Sequence, residues 1–244
     1  MIRFIRSVLC ALCFCVFGIG GILMGCVIFP VVLIFFSRVR QQKIFVNTVH
    51  LSWRAFVWMM SFLRLIQINC PKCRQLKSLH GTIVIANHPS LIDVVILVSK
   101  IPNAVCVVKT SLFHNIFVRH VIRRAYMSNT MTPDEFIAHG GDILSRGYNI
   151  IIFPEGTRTI PNRAIHLHRG FAYLHMATGA NILPIKITNT PPILGKTQKW
   201  WDVGATTSRY DIRVMPYICH DATSQTHPRT TAIEITQKAK RILF

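Results

Sequence analysis

The chain has 244 residues, which is enough for one globular domain and an anchoring segment. Hydrophobic residues make up 51% of it and the mean hydropathy is +0.39, so the composition argues against an ordinary water-soluble enzyme. The net charge of +19 would attract anionic lipid, nucleic acid or an acidic protein, and the high hydropathy favours lipid over nucleic acid.

The N-terminal region is apolar and, where it is charged, only basic. Residues 8–36 form a stretch of 29 residues without a charge, and no carboxylate occurs before Asp93. This stretch is too short for two complete spans of roughly 20 residues each. Basic residues on both sides favour a re-entrant hairpin that returns to the cytoplasmic face, with a single tilted span as the alternative. Residues 1–43 are therefore predicted to be a membrane anchor.

Residues 44–68 form a second segment of more mixed character. Aromatic and aliphatic side chains dominate it, and Arg54 and Arg64 are its permanent charges. This composition predicts an amphipathic helix in the plane of the membrane interface. A helix packed on the core of the domain would show the same pattern. Residues 69–244 then make up the main domain.

The cysteines do not predict a disulfide framework. Four of the eight lie in the apolar N-terminal stretch, where they act as small hydrophobic residues. Cys70 and Cys73 form a C-x-x-C pair, but zinc would need a second ligand pair close by, which the sequence lacks. We expect this pair to lie in a loop that leads into the first strand, and no metal site is predicted.

From about residue 67, apolar β-branched runs alternate with helical patterns. Strands are predicted at residues 82–86, 104–109, 149–153, 181–188 and 210–217. Helices are predicted at residues 89–99, 133–146, 169–178 and 230–242, with Thr132 and Glu135 as a capping box for the second and Gly179 as the end of the third. The alternation predicts an α/β fold with a mostly parallel or mixed central sheet flanked by helices. Pro184 lies within the fourth strand, which predicts an edge position or a bulge there.

Two polar motifs come directly after predicted buried strands. Residues 87–93 read Asn-His-Pro-Ser-Leu-Ile-Asp after the first strand, and residues 153–158 read Phe-Pro-Glu-Gly-Thr-Arg at the end of the third. Ligands of open α/β sheets bind in the crevice outside the carboxyl ends of the strands. Both motifs are therefore candidates for loops that build a site.

The first motif combines a histidine with an aspartate about a turn and a half further on. Asp93 can fix the tautomer of His88 and stabilise its protonated ring, which suits general-base catalysis toward a substrate hydroxyl. Ser90 could be a nucleophile, but it fits the start of a helix equally well. The structural alternative is a histidine–aspartate hydrogen bond without a catalytic role.

The second motif places a guanidinium group and the exposed backbone of a glycine in one turn. Such a turn suits an anionic oxygen cluster such as a phosphate. The structural alternative is a pair between Arg158 and Glu155 that braces the turn. Both roles can hold at once.

Together, the two motifs resemble those of the glycerolipid acyltransferases, the lysophosphatidate (1-acylglycerol-3-phosphate) acyltransferases and their relatives. The resemblance extends over residues 81–187 and includes weaker matches at residues 109–113, 168–172 and 183–185. It implies acyl transfer from acyl-CoA or acyl-carrier protein to a lipid hydroxyl, without a cofactor or a metal. Residues 69–244 would then be the acyltransferase domain, on the cytoplasmic face of a membrane, with the bacterial inner membrane as the expected location.

The resemblance also implies a role for individual residues. His88 would be the general base and Asp93 its orienting partner. The substrate-binding residues would be Asn87, Lys109, Glu155, Gly156, Thr157, Arg158 and Pro184. The implied partners are membrane lipids and the acyl carrier, not nucleic acid.

One departure from the family pattern concerns the acceptor. The family has an arginine after the lysine-led block where this chain has Asn129, while Arg123 and Arg124 lie earlier. This leaves open a related acyltransferase with a non-phosphoglycerol acceptor, such as an amino-lipid or a polyketide-like product. A thioester hydrolase and a non-enzymatic basic membrane protein are further alternatives. The intact motifs argue against the latter, since charge alone would not require them.

Overall fold

A seven-stranded sheet lies at the centre of the computed structural model, which describes residues 1–108, 126–128, 131–199, 201–219 and 227–244. The strands are β1 (Ile66–Asn69), β2 (Ile83–Ala86), β3 (Ala104–Val108), β4 (Tyr126–Ser128), β5 (Asn149–Ile152), β6 (Ile182–Thr190) and β7 (Ser208–Val214). Their order is β1-β7-β6-β2-β5-β3-β4. All neighbours are parallel except β6 and β7, so β1 and β7 run against the other strands. The predicted mixed α/β sheet is confirmed.

Helices cover both faces of this sheet. After the N-terminal helices come α4 (Cys73–Lys77), α5 (Asp93–Lys100), α6 (Pro133–Ser145), α7 (Gly170–Thr178) and α8 (Pro228–Leu243). α5 packs against α3 in the N-terminal part of the chain, while α7 packs against both α6 and α8. Every residue of β2 and β5 is consequently buried, as expected for central strands of a parallel sheet.

Local sequence signals set several helix ends as predicted. The Thr132 side chain accepts a hydrogen bond from the Glu135 N–H, and the Glu135 carboxylate accepts one from the Thr132 N–H. Gly179 ends α7 with a φ of +69°, a left-handed conformation that favours glycine. The helix expected from residue 89, however, begins only at Asp93. Residues 89–92 form a turn, in which the Asp93 N–H donates to the Ser90 carbonyl at 3.4 Å, and an i to i+4 helical bond follows from the Ile96 N–H to the Ile92 carbonyl at 2.9 Å.

Pro184 lies in the interior of the sheet, so the predicted edge position is wrong. β6 is paired with β2 on one side and with β7 on the other. The expected irregularity is nevertheless present, since Ile185 pairs with Val214 whereas Ile182 pairs with Ile218. The partner segment thus carries one extra residue opposite Pro184, whose nitrogen has no hydrogen to donate.

The segment around the C-x-x-C pair is more structured than expected. It connects β1 to β2 and contains the short helix α4, where a plain loop was predicted. Cys70 and Cys73 are paired in a disulfide. β1 itself was missed, because its first three residues lie within residues 44–68, which were assigned to one helix. Its pairing with β7 joins residues far apart in sequence.

The N-terminal helices are long, and they form an antiparallel pair. α1 (Ile2–Leu23) continues through a π-helical turn (Met24–Ile28) into α2 (Phe29–Phe35). The chain therefore does not reverse within residues 8–36, and the hairpin favoured there is absent. The wider turn lies just ahead of Pro30, whose missing N–H it accommodates. The run from Ile2 to Phe35 is one helix that is long and apolar enough to cross a membrane.

The reversal occurs at Phe36 and Ser37, after which α3 (Arg38–Phe62) runs back along the first helices. Phe14 lies near Phe56, and Phe29 lies near Phe45, with ring centroids 5.6 and 4.3 Å apart. One side of α3 is thus buried against the first helices and α5. Its other side leaves large apolar residues exposed, namely Leu51, Trp58 and Phe62.

Candidate active site

The two motif loops meet because their strands are neighbours. Ile85 of β2 pairs with Ile152 of β5 in a parallel ladder, so both strands end at the same edge of the sheet. The first loop leaves β2 at Asn87, and the second leaves β5 at Phe153. The ring of His88 packs against the ring of Phe153, with centroids 4.4 Å apart.

His88 and Asp93 form a hydrogen-bonded pair. His88 Nδ1 lies 2.9 Å from Asp93 Oδ2, and the Ser90 N–H donates to the same oxygen at 2.6 Å. The His88 side chain is 14% exposed, whereas the Asp93 side chain is fully buried. With Nδ1 held by the carboxylate, Nε2 is the ring nitrogen left for a substrate. This geometry suits a general base whose tautomer is fixed from behind.

The electrostatics of Asp93 are set by its burial. Burial raises the pKa of this carboxyl, while the hydrogen bond and charge of His88 and the Ser90 N–H act in the opposite direction. Asp93 Oδ1 is buried without a hydrogen-bond partner among the described residues, which adds to the cost of ionising the group. The ionised form is therefore held chiefly by its contacts with His88 and Ser90.

Ser90 does not lie where a nucleophile is needed. Its side chain is fully buried, and its hydroxyl oxygen accepts a 2.8 Å hydrogen bond from the Tyr210 hydroxyl. Tyr210 is itself buried, which raises its pKa. The tyrosine was predicted only as a strand residue, because no local signal connects β7 with a loop 120 positions earlier.

Glu155 ties the second loop to the first. Its Oε1 accepts hydrogen bonds from the His88 N–H at 2.9 Å and from the Thr159 hydroxyl at 2.7 Å. The Thr159 N–H in turn donates to the His88 carbonyl oxygen at 2.7 Å. The carboxylate thus fixes the backbone that carries the histidine. Thr159 was not predicted, although it directly follows the motif.

The glycine of the second motif is required by both conformation and space. Gly156 has a φ of +64°, and a Cβ there would lie 3.0 Å from His168 Nε2. The His168 N–H donates to the Pro154 carbonyl, so this ring is held beside the turn. Thr157 follows in the turn, half-buried.

Arg158 reaches away from its own loop. Its Nη1 donates to the carbonyl oxygens of Leu194 and Gly195 at 3.0 and 2.9 Å. The Leu91 N–H donates to the same Leu194 carbonyl at 3.0 Å, which fixes this segment between the two loops. The Arg158–Glu155 pair considered from the sequence is not formed, since each side chain binds other groups.

The remaining predicted site residues lie in different places. Asn87 is buried at the end of β2, where its amide donates to the Ile187 carbonyl and accepts from the Ile187 N–H, bridging to β6. Pro184 lies buried within β6, opposite Ile85. Lys109 and Asn129 lie outside the described residues. No group of three or more histidine, cysteine, aspartate or glutamate residues in the described ranges is arranged to hold a metal ion.

The region that contains both motifs matches a family of known proteins. A family model described as Acyltransferase matches residues 67–188, which contain both motifs and the strands β1 to β6, apart from the first residue of β1 and the last two residues of β6. A 1-acyl-sn-glycerol-3-phosphate acyltransferase from Cocos nucifera is 25% identical over 162 residues, 64% of this chain and 50% of the relative. The chain thus spans about half the length of that curated relative.

The fold also has a solved counterpart. The crystal structure of the 1-acyl-sn-glycerophosphate (LPA) acyltransferase PlsC from Thermotoga maritima matches with a TM-score of 0.70 and 17% identity, covering 98% of this chain and 97% of that one. The likeness therefore includes the N-terminal helices as well as the sheet. With both motifs at neighbouring strand ends and the family model spanning half of its length, the chain belongs to the acyltransferase family.

Proposed function

We propose that this protein transfers a fatty acyl group from a thioester donor, acyl-CoA or acyl-carrier protein, to a hydroxyl of a lysophospholipid-like acceptor. The observation that carries the proposal is the pair of a partly exposed His88 and a fully buried Asp93 at the carboxyl ends of parallel strands. The family supplies the reaction class, and the Cocos nucifera relative is named for a 1-acyl-sn-glycerol-3-phosphate acceptor.

His88 would act as the general base. Asp93 keeps the hydrogen of the neutral ring on Nδ1, so Nε2 takes the proton of the acceptor hydroxyl as its oxygen attacks the thioester carbonyl. The tetrahedral intermediate then collapses, the carbon–sulfur bond breaks, and the thiolate takes the proton from His88. The products are the acylated lipid and the free thiol of the carrier. No side-chain nucleophile is needed, which agrees with the buried position of Ser90.

Arg158 would bind the anionic part of the acceptor. Both of its described hydrogen bonds use Nη1, so Nε and Nη2 are left to donate to an anionic oxygen. Glu155 would place the histidine through its backbone, and Gly156 and Thr157 would shape the turn beside it. Direct substrate contacts of Asn87, Pro184 and Lys109 belong to the same proposal.

The N-terminal helices would hold the enzyme at a membrane. The helix Ile2–Phe35 has the length and hydropathy of a span, and the outer faces of α1, α2 and α3 expose many large apolar side chains. The main domain would then work at the cytoplasmic face, where it meets soluble acyl carriers and membrane acceptors.

An acceptor panel tests the reaction. The purified full-length protein would be given acyl-CoA together with 1-acylglycerol-3-phosphate, a neutral lysophospholipid or a lyso-amino-lipid, and the lipid products would be identified by mass spectrometry. Transfer to 1-acylglycerol-3-phosphate is expected from the parent and not from His88→Ala. Transfer to the amino-lipid alone would favour a non-phosphoglycerol acceptor, the alternative that the replacement of the family's arginine by Asn129 leaves open. Release of free fatty acid alone would show a hydrolase.

The salt dependence tests the donor. The phosphates of coenzyme A or the acidic surface of a carrier protein would be attracted by the positive charge of the enzyme. Because the Debye length falls from about 10 Å at 0.1 M salt to about 3 Å at 1 M, donor kcat/KM should fall over this range while kcat changes less. A salt-independent donor kcat/KM in the same detergent would contradict electrostatic capture of the donor.

A further inference from the structure

A groove of about 1150 Å³ lies between α3, β1 and the end of α5. None of the residues that form the His88 site or the second motif loop lines it. Asp93 and Lys100 are the two ends of α5, and Lys100 lines the groove. At 1.5 Å per residue the two are separated by about 10 Å along the helix. The groove is therefore a separate surface feature and not an extension of the reaction centre.

The walls of the groove are basic. Arg54 and Arg64 come from α3 and the turn after it, Lys77 from the end of α4, and Lys100 from the end of α5. No carboxylate lines the groove in the described part of the chain, and neither ion pair recorded among the described residues includes these cations. Like charges from three separate elements thus converge without an internal counterion.

Lys100 is half-buried, and its environment disfavours its positive charge. Burial lowers the pKa of Lys100, and the positive charges of Lys77 and Arg54 lower it further. The three cations line the same groove and repel one another. An anion from outside the chain would relieve this repulsion and would be bound by several cations at once.

One wall of the same groove is apolar. Leu51 and Trp58 line it from α3, with 50% and 67% of their surfaces exposed. Phe62, one turn beyond, stacks on Trp58 with the rings 5.4 Å apart and inclined by 17°. The apolar strip of Leu51, Trp58 and Phe62 lies on the helix that packs against the membrane-type helix Ile2–Phe35. A hydrocarbon chain placed along this strip would cover exposed apolar surface directly beside the basic wall.

We propose that this groove binds an anionic phospholipid, with the phosphate held by Arg54, Lys77 and Lys100 and an acyl chain lying along Leu51, Trp58 and Phe62. The site is distinct from that of the acceptor, and the proposal does not rest on the proposed function. A basic protein attracts anionic lipid in general. The proposal goes further, because it names a defined site at which one lipid molecule binds.

Native mass spectrometry of the full-length protein in a neutral detergent tests the proposal. Phosphatidylglycerol and phosphatidylcholine with the same acyl chains are offered at equal concentration. The parent should bind phosphatidylglycerol at least about tenfold more tightly. The triple variant Arg54→Gln, Lys77→Gln, Lys100→Gln should lose roughly 100-fold in affinity for it, since each cation near an anionic headgroup contributes about fivefold.

A charge-matched variant separates a site from a general charge effect. Lys238→Gln, Lys240→Gln and Arg241→Gln remove three exposed cations from α8 and should leave phosphatidylglycerol binding within about twofold of the parent. Circular dichroism spectra and unfolding temperatures establish that both triple variants are folded. Equal loss of binding in the two variants would overturn the proposal, because net charge alone would then explain the binding.

Two further measurements distinguish an intact phospholipid from a free headgroup and from coenzyme A as the occupant of the groove. Trp58→Ala should weaken binding of the intact lipid and not of its deacylated headgroup, glycerophosphoglycerol. If the headgroup alone binds as tightly as the intact lipid, the apolar wall has no role and the lipid assignment fails. Displacement of bound phosphatidylglycerol by equimolar coenzyme A would likewise overturn it and assign the groove to the donor.

Discussion

The two motif loops begin at the same edge of the sheet but use their side chains differently. In the loop after β2, Asp93 is fully buried and His88 is turned toward it at 2.9 Å. In the loop after β5, Glu155 and Arg158 are only partly buried and hold other parts of the chain. The first loop thus carries the candidate base, and the second loop fixes its surroundings.

The two motifs therefore have different places in one candidate site. The Glu155 carboxylate binds the backbone N–H of His88, so the second loop acts on the base through its main chain. Arg158 binds the carbonyl of Leu194, to which Leu91 of the first loop also donates. Changes in the first loop should therefore affect the chemical step, whereas changes in the second should affect substrate binding and loop position.

Replacement of the base is the strongest test of this division. His88→Ala should lower kcat by about 10²–10⁴-fold, because it removes the group that accepts the acceptor proton. The variant should keep the unfolding temperature and membrane association of the parent. His139→Ala, which removes an exposed histidine from α6, is the matched control and should retain full activity. Near-normal turnover by His88→Ala would remove this residue from the mechanism.

Asp93→Asn should lower kcat by about 10²-fold or more while the fold is kept. An amide is nearly the same size as the carboxylate, but it cannot stabilise the protonated His88 ring and permits the wrong tautomer. Initial rates at saturating donor and acceptor measure the effect. Activity equal to that of the parent would make the His88–Asp93 contact purely structural.

Asn87→Ala should act mainly on stability, although Asn87 stands beside the base. It removes both hydrogen bonds to Ile187 and leaves a buried N–H and carbonyl unpaired in the sheet. Each unpaired buried group costs about 1–3 kcal/mol, so the unfolding equilibrium should shift by at least roughly tenfold. Denaturant unfolding measures this shift, and a fall in acceptor affinity without a loss of stability would instead support a substrate contact.

The sequence was informative where structure depends on local signals. The β-branched runs of β2 and β5, the capping box at Thr132 and the glycine after α7 were read correctly because each signal lies within a few residues. The candidate base and its partner could be named for the same reason, since Asp93 follows His88 closely.

The features that were missed depend on contacts between distant residues. β1 is a short edge strand that forms by pairing with β7, and Tyr210 reaches Ser90 from 120 positions away. Arg158 binds carbonyls 36 and 37 positions later, so its bracing contacts had no local signal. The hairpin was favoured over a single span because basic residues flank residues 8–36 on both sides. The helix instead continues from Ile2 to Phe35, where a π-helical turn precedes Pro30 and α3 packs alongside.

Arg158→Lys should lower kcat/KM by about tenfold, mainly through a higher acceptor KM. Lysine keeps the charge but has a single nitrogen, so it cannot hold the Leu194 and Gly195 carbonyls with one nitrogen and bind an anion with another. Arg163→Lys, an exposed position in the same connection, is the control and should be neutral. A rise confined to donor KM would reassign this loop to the phosphates of the donor.

The smallest expected effect is a pH-dependent stability difference between the parent and Asp93→Asn. Burial raises the pKa of Asp93 above its unfolded value of about 3.9, so the folded state binds this proton more tightly than the unfolded state. The stability that Asp93 contributes is therefore fully present below about pH 3.9 and is lost as the pH rises through the folded pKa. As the pH rises from about 4, the unfolding free energy of the parent should therefore fall relative to that of Asp93→Asn.

Denaturant unfolding of both proteins across this range measures the change, and contributions from groups that titrate alike in the two cancel in the difference. A change of the opposite sign would mean that the hydrogen bonds from His88 and Ser90 outweigh burial and lower the pKa of Asp93. The Asp93 carboxylate would then be stabilised in the resting fold by these contacts. With the expected sign, the carboxylate is held ionised against its burial, and protonation of His88 during the reaction would offset part of that cost.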